Sequence, residues 1–260
     1  MIIIKSQAEV KKMEEAGLKL GRVFDRLSKH IKPGVTTLEL DKLAFKYLSE
    51  EGCTPSFKGY DGFPGSICAS VNEMLIHGIP SKDIVLKEGD IISIDMGNIY
   101  HGYQGDAART FAVGKVDEET QRLIDATEEC FYEAFKYCKP GNHLSDISTS
   151  ISKISAKYGY ETTKEFGGHG IGREMHEDPF IFNYGNSYGK GVLLREGMCL
   201  AIEPMLHQGS DEIEIIEDGW GVRSKDGKLT CHYENTVVIT KDGAKILTVD
   251  DNVRRHIGEN

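Results

Sequence analysis

No apolar run in this chain comes near the roughly 20 residues that a membrane-spanning helix requires, which sets aside an integral membrane protein. The opening Met1-Ile2-Ile3-Ile4-Lys5 is too short an apolar stretch for a secretory signal, so a cytoplasmic protein is expected. Cysteine is scattered: Cys53, Cys68, Cys130, Cys138, Cys199 and Cys231 form no CxxC pair and no zinc-type spacing. Reduced packing residues fit that pattern better than a disulfide framework. Positive charge is in deficit, and a formal charge of −10 argues against broad nucleic-acid binding. No stretch rich in Pro, Ser and Gly divides the chain. Its 260 residues are therefore expected to form one domain, 1–260, with a large core.

What the chain does contain is an internal echo. Leu86-Lys87-Glu88-Gly89 through Ile94-Asp95 returns 108 positions later as Leu194-Arg195-Glu196-Gly197 through Ile202-Glu203. Upstream, Lys32-Pro33-Gly34 is matched by Lys139-Pro140-Gly141, and the helix-like stretches that follow stop at Gly52 and Gly159. Two copies of one helix–helix–strand unit, over about 8–113 and 117–250, would each deliver a carboxylate to the same place. Acids brought together by pseudo-symmetry suggest a shared metal site.

Periodicity supplies the elements. Thr36 with Glu39 is a capping box for Leu40, Leu43, Ala44, Tyr47 and Leu48 at helical spacing. Leu123 through Cys138 repeat at three to four residues, with Pro140 as the stop, and Ile147, Ile151 and Ile154 open another helix. Strands are expected at 91–96, 107–113, 198–202, 212–216, 233–240 and 244–248, the last two joined by the turn Lys241-Asp242-Gly243. This mixture predicts an α+β fold, an antiparallel-rich sheet with helices on its outer side.

Strand alternation places the acids. Asp95 shares a face with Ser93, Asp106 with Ala108 and Thr110, Glu203 with Ala201 and Cys199, and Glu234 with His232 and Thr236. Each reverse face is mostly apolar, with Arg109 and Asn235 as the exceptions. A single strand carboxylate is usually just solvated. Four on small-residue faces would repel one another unless divalent cations neutralised them. His169, inside Phe166-Gly167-Gly168-His169-Gly170-Ile171-Gly172, adds an imidazole where the backbone allows close approach, and His176-Glu177 adds a second. Mixed oxygen and nitrogen donors suit Mn, Fe, Co or Zn without choosing among them.

In this order the motifs resemble the type I methionine aminopeptidases of the pita-bread metallopeptidases, over essentially the whole chain. They are Ser70-Val71-Asn72-Glu73, His77-Gly78-Ile79-Pro80, Ile94-Asp95, Gly105-Asp106, Gly168-His169-Gly170-Ile171-Gly172, His176-Glu177, Ile202-Glu203-Pro204-Met205 and Tyr233-Glu234. The resemblance implies a pseudo-twofold pita-bread fold with a dinuclear metal site on the concave face. Its ligands would be Asp95, Asp106, His169, Glu203 and Glu234, with Asp106 and Glu234 bridging two divalent ions. It also implies hydrolysis of the first peptide bond, with Glu203 moving the proton of the attacking water, His176 bonding the scissile amide and His77 near the scissile nitrogen. The methionine side chain would sit against Tyr60, Phe63, Cys68 and Trp220. Substrates would be nascent chains with a small second residue, met by a monomer in transient contact with the ribosome. Met175, Gly97 and Ala201 depart from the family pattern, where an aromatic, a hydroxyl residue and Thr are frequent, and this bears on pocket shape.

Two rivals stand beside that reading. Proline-specific pita-bread peptidases generally carry an amino-terminal domain, whereas the first helix here is expected by about Ala8. Non-enzymatic pita-bread binding modules typically lose metal ligands, and all five candidates are present. The short span from His176 to Glu203 leaves no room for the helical insertion of type II enzymes.

Overall fold

Capping chemistry sets where the helices begin. Ser6 and Thr36 each accept the N–H three residues on, and Glu9 and Glu39 reach back to the N–H groups of those caps, opening α1 (Gln7–Leu27) and α2 (Thr37–Glu50). Asp117 caps α3 (Glu118–Phe135), and α4 (Leu144–Tyr158) ends at Gly159 with φ +79°, the left-handed turn expected of a glycine stop. A short α5 spans Asp251–Ile257. This computed structural model describes residues 1–258.

Between the helices and the site lies a nine-stranded antiparallel sheet. Its path is Thr54–Pro55, Ile91–Tyr100, Tyr103–Ala112, Glu234–Thr240, Cys199–Ile202, Gly167–Gly170 and Glu177–Phe182. Cys68–Val71 pairs beside Ile91–Tyr100, and Gly243–Ile246 beside Glu234–Thr240. The two repeat-bearing halves meet where Glu234 pairs with Ala108. One face is covered by helices: Leu20, Phe24, Leu40 and Leu48 bury Ile92, Ile94 and Val113. On the other half Leu123, Phe131, Ile147 and Ile151 bury Leu200, Ile202 and Val237. The fold is thus α+β, with its helices on one side of an antiparallel sheet.

Helix α1 lies so close to the chain after the final strand that two of its residues must lack a side chain. A Cβ on Gly17 would sit 2.3 Å from the Leu247 carbonyl oxygen, and one on Gly21 2.0 Å from that of Val249. Three details depart from the sequence reading. The first long strand continues to Tyr100, turning at His101 and Gly102 with φ +52° and +76°. Helix α3 ends at Phe135, not nearer Pro140, and tightens there into turns in which the Tyr137 and Cys138 N–H groups donate to the carbonyls of Ala134 and Phe135. Arg109 and Asn235, the polar exceptions on the apolar face, bond one another: Arg109 donates to Asn235 Oδ1 at 2.8 Å and to Asp250 Oδ2 at 2.8 Å. That buried network ties the central strands to the cap of α5, and it partners the Arg109 guanidinium throughout while Asn235 Nδ2 is buried without a partner.

Candidate metal centre

Strand register brings the acids together. Asp95 is directly opposite Ala108, which is directly opposite Glu234, giving one row across three strands. A second row runs His169, Ala201, Thr236, and Thr236 Oγ1 donates to the carbonyl of Asp106 at 2.8 Å while accepting its N–H at 3.0 Å. Glu203 follows the strand Cys199–Ile202 directly. Since facing residues of antiparallel strands point the same way, the donors share one face. Ala108 and Ala201, the residues between them, leave the space above the sheet to the longer acid side chains.

The electrostatics of this face are severe. Donor atoms of Asp106, His169 and Glu234 all lie within 4.8 Å of one another, and His169 Nε2 is 3.6 Å from Glu203 Oε1. Asp95 Oδ1, Asp106 Oδ1 and Glu234 Oε1 are buried without a hydrogen-bond partner. Burial raises the Asp106 carboxyl to about 7. Burial first, then the neighbouring acids, push Asp95, Glu203 and Glu234 well above the usual carboxylate range. His169 is held down to about 4 by burial and then by the nearby His176, so it is neutral. With Nδ1 on the Gly170 carbonyl at 2.8 Å, its Nε2 lone pair faces the acids, the tautomer a metal ligand needs. Unpartnered acid oxygens converging with a neutral imidazole fit divalent cations, and these residues could hold them.

Above the donors is a cavity of about 570 Å³. Tyr60, Phe63, Cys68 and Trp220 all line it, together with His77, His176 and the five candidate donors, whereas Met175, Gly97 and Ala201 are not among its lining residues. Phe63 and Trp220 meet edge-on with ring centres 5.2 Å apart, and Cys68 faces Asp95 across the strands. Tyr60 Oη lies 2.9 Å from His176 Nδ1, leaving Nε2 of His176 for the cavity. His77 has φ +59°, a strained setting for a side chain, and burial lowers it to about 4.

Several residues here escaped the sequence reading. Phe57, Phe166 and Phe180 also line the cavity, and nothing in their spacing marked them. His232 was placed on the face of Glu234 but given no role; its Nε2 lies 3.5 Å from Glu203 Oε2. Glu177 forms a buried ion pair with Lys5 at 2.5 Å, and its other oxygen accepts the N–H of Arg173 at 3.0 Å. It thereby pins the loop that carries His176 to the amino-terminal segment, a link spanning too much sequence to be read from a motif.

The donors, their burial and the antiparallel scaffold define a metallopeptidase, and the chain belongs to metallopeptidase family M24, whose profile matches residues 11–241. Its relatives are more specific. The methionine aminopeptidase of Clostridium acetobutylicum is 51% identical, over 96% of this chain and 99% of that one. The Escherichia coli K12 methionine aminopeptidase is 40% identical, over 97% and 96%. The crystal structure of methionine aminopeptidase from Thermotoga maritima superposes with a TM-score of 0.94 at 43% identity, covering 96% of this chain and all of that one. A prolidase from Pyrococcus furiosus is more distant, with a TM-score of 0.77 and 26% identity, this chain covering 66% of it.

Proposed function

We propose that this protein is a methionine aminopeptidase, a metal-dependent hydrolase that removes the N-terminal methionine from polypeptides. The observation that carries it is the convergence of five donors beneath a cavity lined by aromatic rings and a thiol, in a chain so close to named methionine aminopeptidases. We further assign Asp95, Asp106, His169, Glu203 and Glu234 as the residues that would hold two divalent ions. Bound there, such ions would act as Lewis acids and make water nucleophilic near neutral pH.

The chain's own residues do the rest. Glu203 borders both the donors and the open cavity, and it carries the proton from the attacking water toward the leaving amine. His176, oriented by Tyr60, donates to the scissile carbonyl where negative charge develops. His77 contacts the substrate near the scissile nitrogen. Tyr60, Phe63, Cys68 and Trp220 hold the methionine side chain, since rings and sulfur suit a polarizable thioether. His77 and His176 crowd the space beyond the bond, which favours a small second residue. We place the activity in a single domain acting as a cytoplasmic monomer on nascent chains, with transient ribosome contact. No helix among the described residues is long and apolar enough to cross a membrane.

The test is metal analysis coupled to peptide turnover. Rapid release of Met from Met-Gly peptides and slow release from Met-Ile peptides is expected. Cleavage of Xaa-Pro peptides in preference to Met-Gly would instead favour the prolidase-like reading, and equal rates on Met-Gly and Met-Ile would remove the steric account.

A further inference from the structure

The strand Glu177–Phe182 ends the path of the main sheet, and no strand among the described residues pairs with its outer edge. Its buried residues are ordinary: Ile181 and, just beyond, Asn183 are each 1% exposed. Its alternate residues are not. Phe180, Phe182 and Tyr184 are 45%, 46% and 40% exposed, a high exposure for three consecutive aromatics on one face. They form a ladder, with ring centres 4.9 Å apart for Phe180 and Phe182 and 5.2 Å for Phe182 and Tyr184. The ladder begins at the site, because Phe180 faces His169 across the strands and lines the cavity. No lysine or arginine interrupts it. Exposed apolar rows on sheet edges invite pairing and are usually blunted by charge.

We infer that this ladder is a docking track for the substrate chain beyond its second residue, and that the enzyme prefers substrates with apolar side chains at alternate downstream positions. The occupant follows from continuity: a chain whose first residue fills the cavity must leave it over the rim, and Phe180 belongs to both. An extended peptide repeats its side chains on one face every ~6.7 Å, the same repeat as the strand that carries the rings. The inference rests on the methionine-removal reading, and the test separates the two.

The test uses the metal-loaded full chain and kcat/KM for four peptides. These are Met-Gly-Gly, Met-Gly-Ser-Ser-Ser-Ser, and two hexapeptides carrying Leu at positions three and five or at four and six. One leucine register should exceed the serine peptide by about tenfold, the effect of partly burying two such side chains. In a Phe182→Ser, Tyr184→Ser double variant that advantage should collapse to within about twofold, at an unchanged Tm. Equal kcat/KM for the three hexapeptides in the unaltered protein overturns the inference, without recourse to any variant. So does an advantage that survives the double substitution. A dimer seen by sedimentation in the unaltered protein and lost in the variant would also overturn it, making a second copy the occupant. Failure to release Met from Met-Gly-Gly would instead refute the proposed activity.

Discussion

Replacing Asp106 with Asn should stabilise the metal-free protein while destroying the enzyme. The Asp106 carboxyl is almost fully buried and one of its oxygens has no partner. Its ordinary value of 3.8 is raised to about 7 by burial. A carboxyl with a raised folded value contributes stability that is fully present below about pH 4 and lost as pH rises through about 7. Above that range, keeping the ionised form in the fold costs about 4 kcal/mol. An amide of the same shape never ionises and avoids this cost, and its NH2 can donate to the acids around it. In a chain of this size about 4 kcal/mol corresponds to roughly 10 °C in Tm.

Calorimetry in EDTA should therefore show Asp106→Asn melting several degrees above the unaltered protein at pH 8, with the gap shrinking to less than half at pH 5, where the acid is protonated only in the fold, and closing below about pH 4. Adding Mn(II) at about 10,000 times its Kd should reverse the order, since the unaltered protein alone then gains about 5.5 kcal/mol from binding, more than the cost of the ionised acid. Turnover by the variant should be absent in every condition. If the variant melts at or below the unaltered protein in EDTA at pH 8, or the gap is as wide at pH 5 as at pH 8, the electrostatic account of the site is wrong.

The sequence was most legible where local chemistry acts alone. The Thr36–Glu39 cap, the Gly159 stop and the faces of Asp95, Asp106 and Glu234 follow from spacing, because helix and strand geometry map neighbours in sequence onto neighbours in space. The candidate donor set was legible for a further reason: the repeat predicts that Asp95 and Glu203 occupy equivalent places, and the glycine-rich loop singles out His169. What could not be read are contacts made across the sheet. Arg109 looked like an error on an apolar face because Asp250 lies 141 residues away. The anchoring of the His176 loop by Lys5 spans 172 residues, and Phe180 acquires its place only from register with His169. Such pairings depend on which strands become neighbours, information that no window of sequence holds.

Three further outcomes are expected. Lys5→Met leaves Glu177 buried and unpaired, a change that typically costs about 3–5 kcal/mol. Metal content should hold while kcat drops, and Lys5→Arg should restore it; a fall in KM alone, with kcat intact, would show that the pair does not position the His176 loop. His176→Ala should keep full metal stoichiometry by elemental analysis and lose about 100-fold or more in kcat, the scale of a lost transition-state donor; loss of metal would make His176 a ligand instead. The last concerns Gly97, which has room for no side chain although its backbone would accept one. A Cβ there would lie 2.7 Å from Met175 Cε, 2.9 Å from Ser56 Cβ and 3.0 Å from Phe57 Cε1. Gly97 and Met175 both depart from the family pattern, and the geometry makes them one departure: the flexible thioether fills the space that a residue at 97 would need. Gly97→Thr should thus destabilise by about 1–3 kcal/mol through overpacking. Combining it with Met175→Ala should recover much of that loss, whereas independent sites would simply add. Thermal melts of the two single variants and the double variant decide it, and strict additivity would mean that the two positions are unrelated.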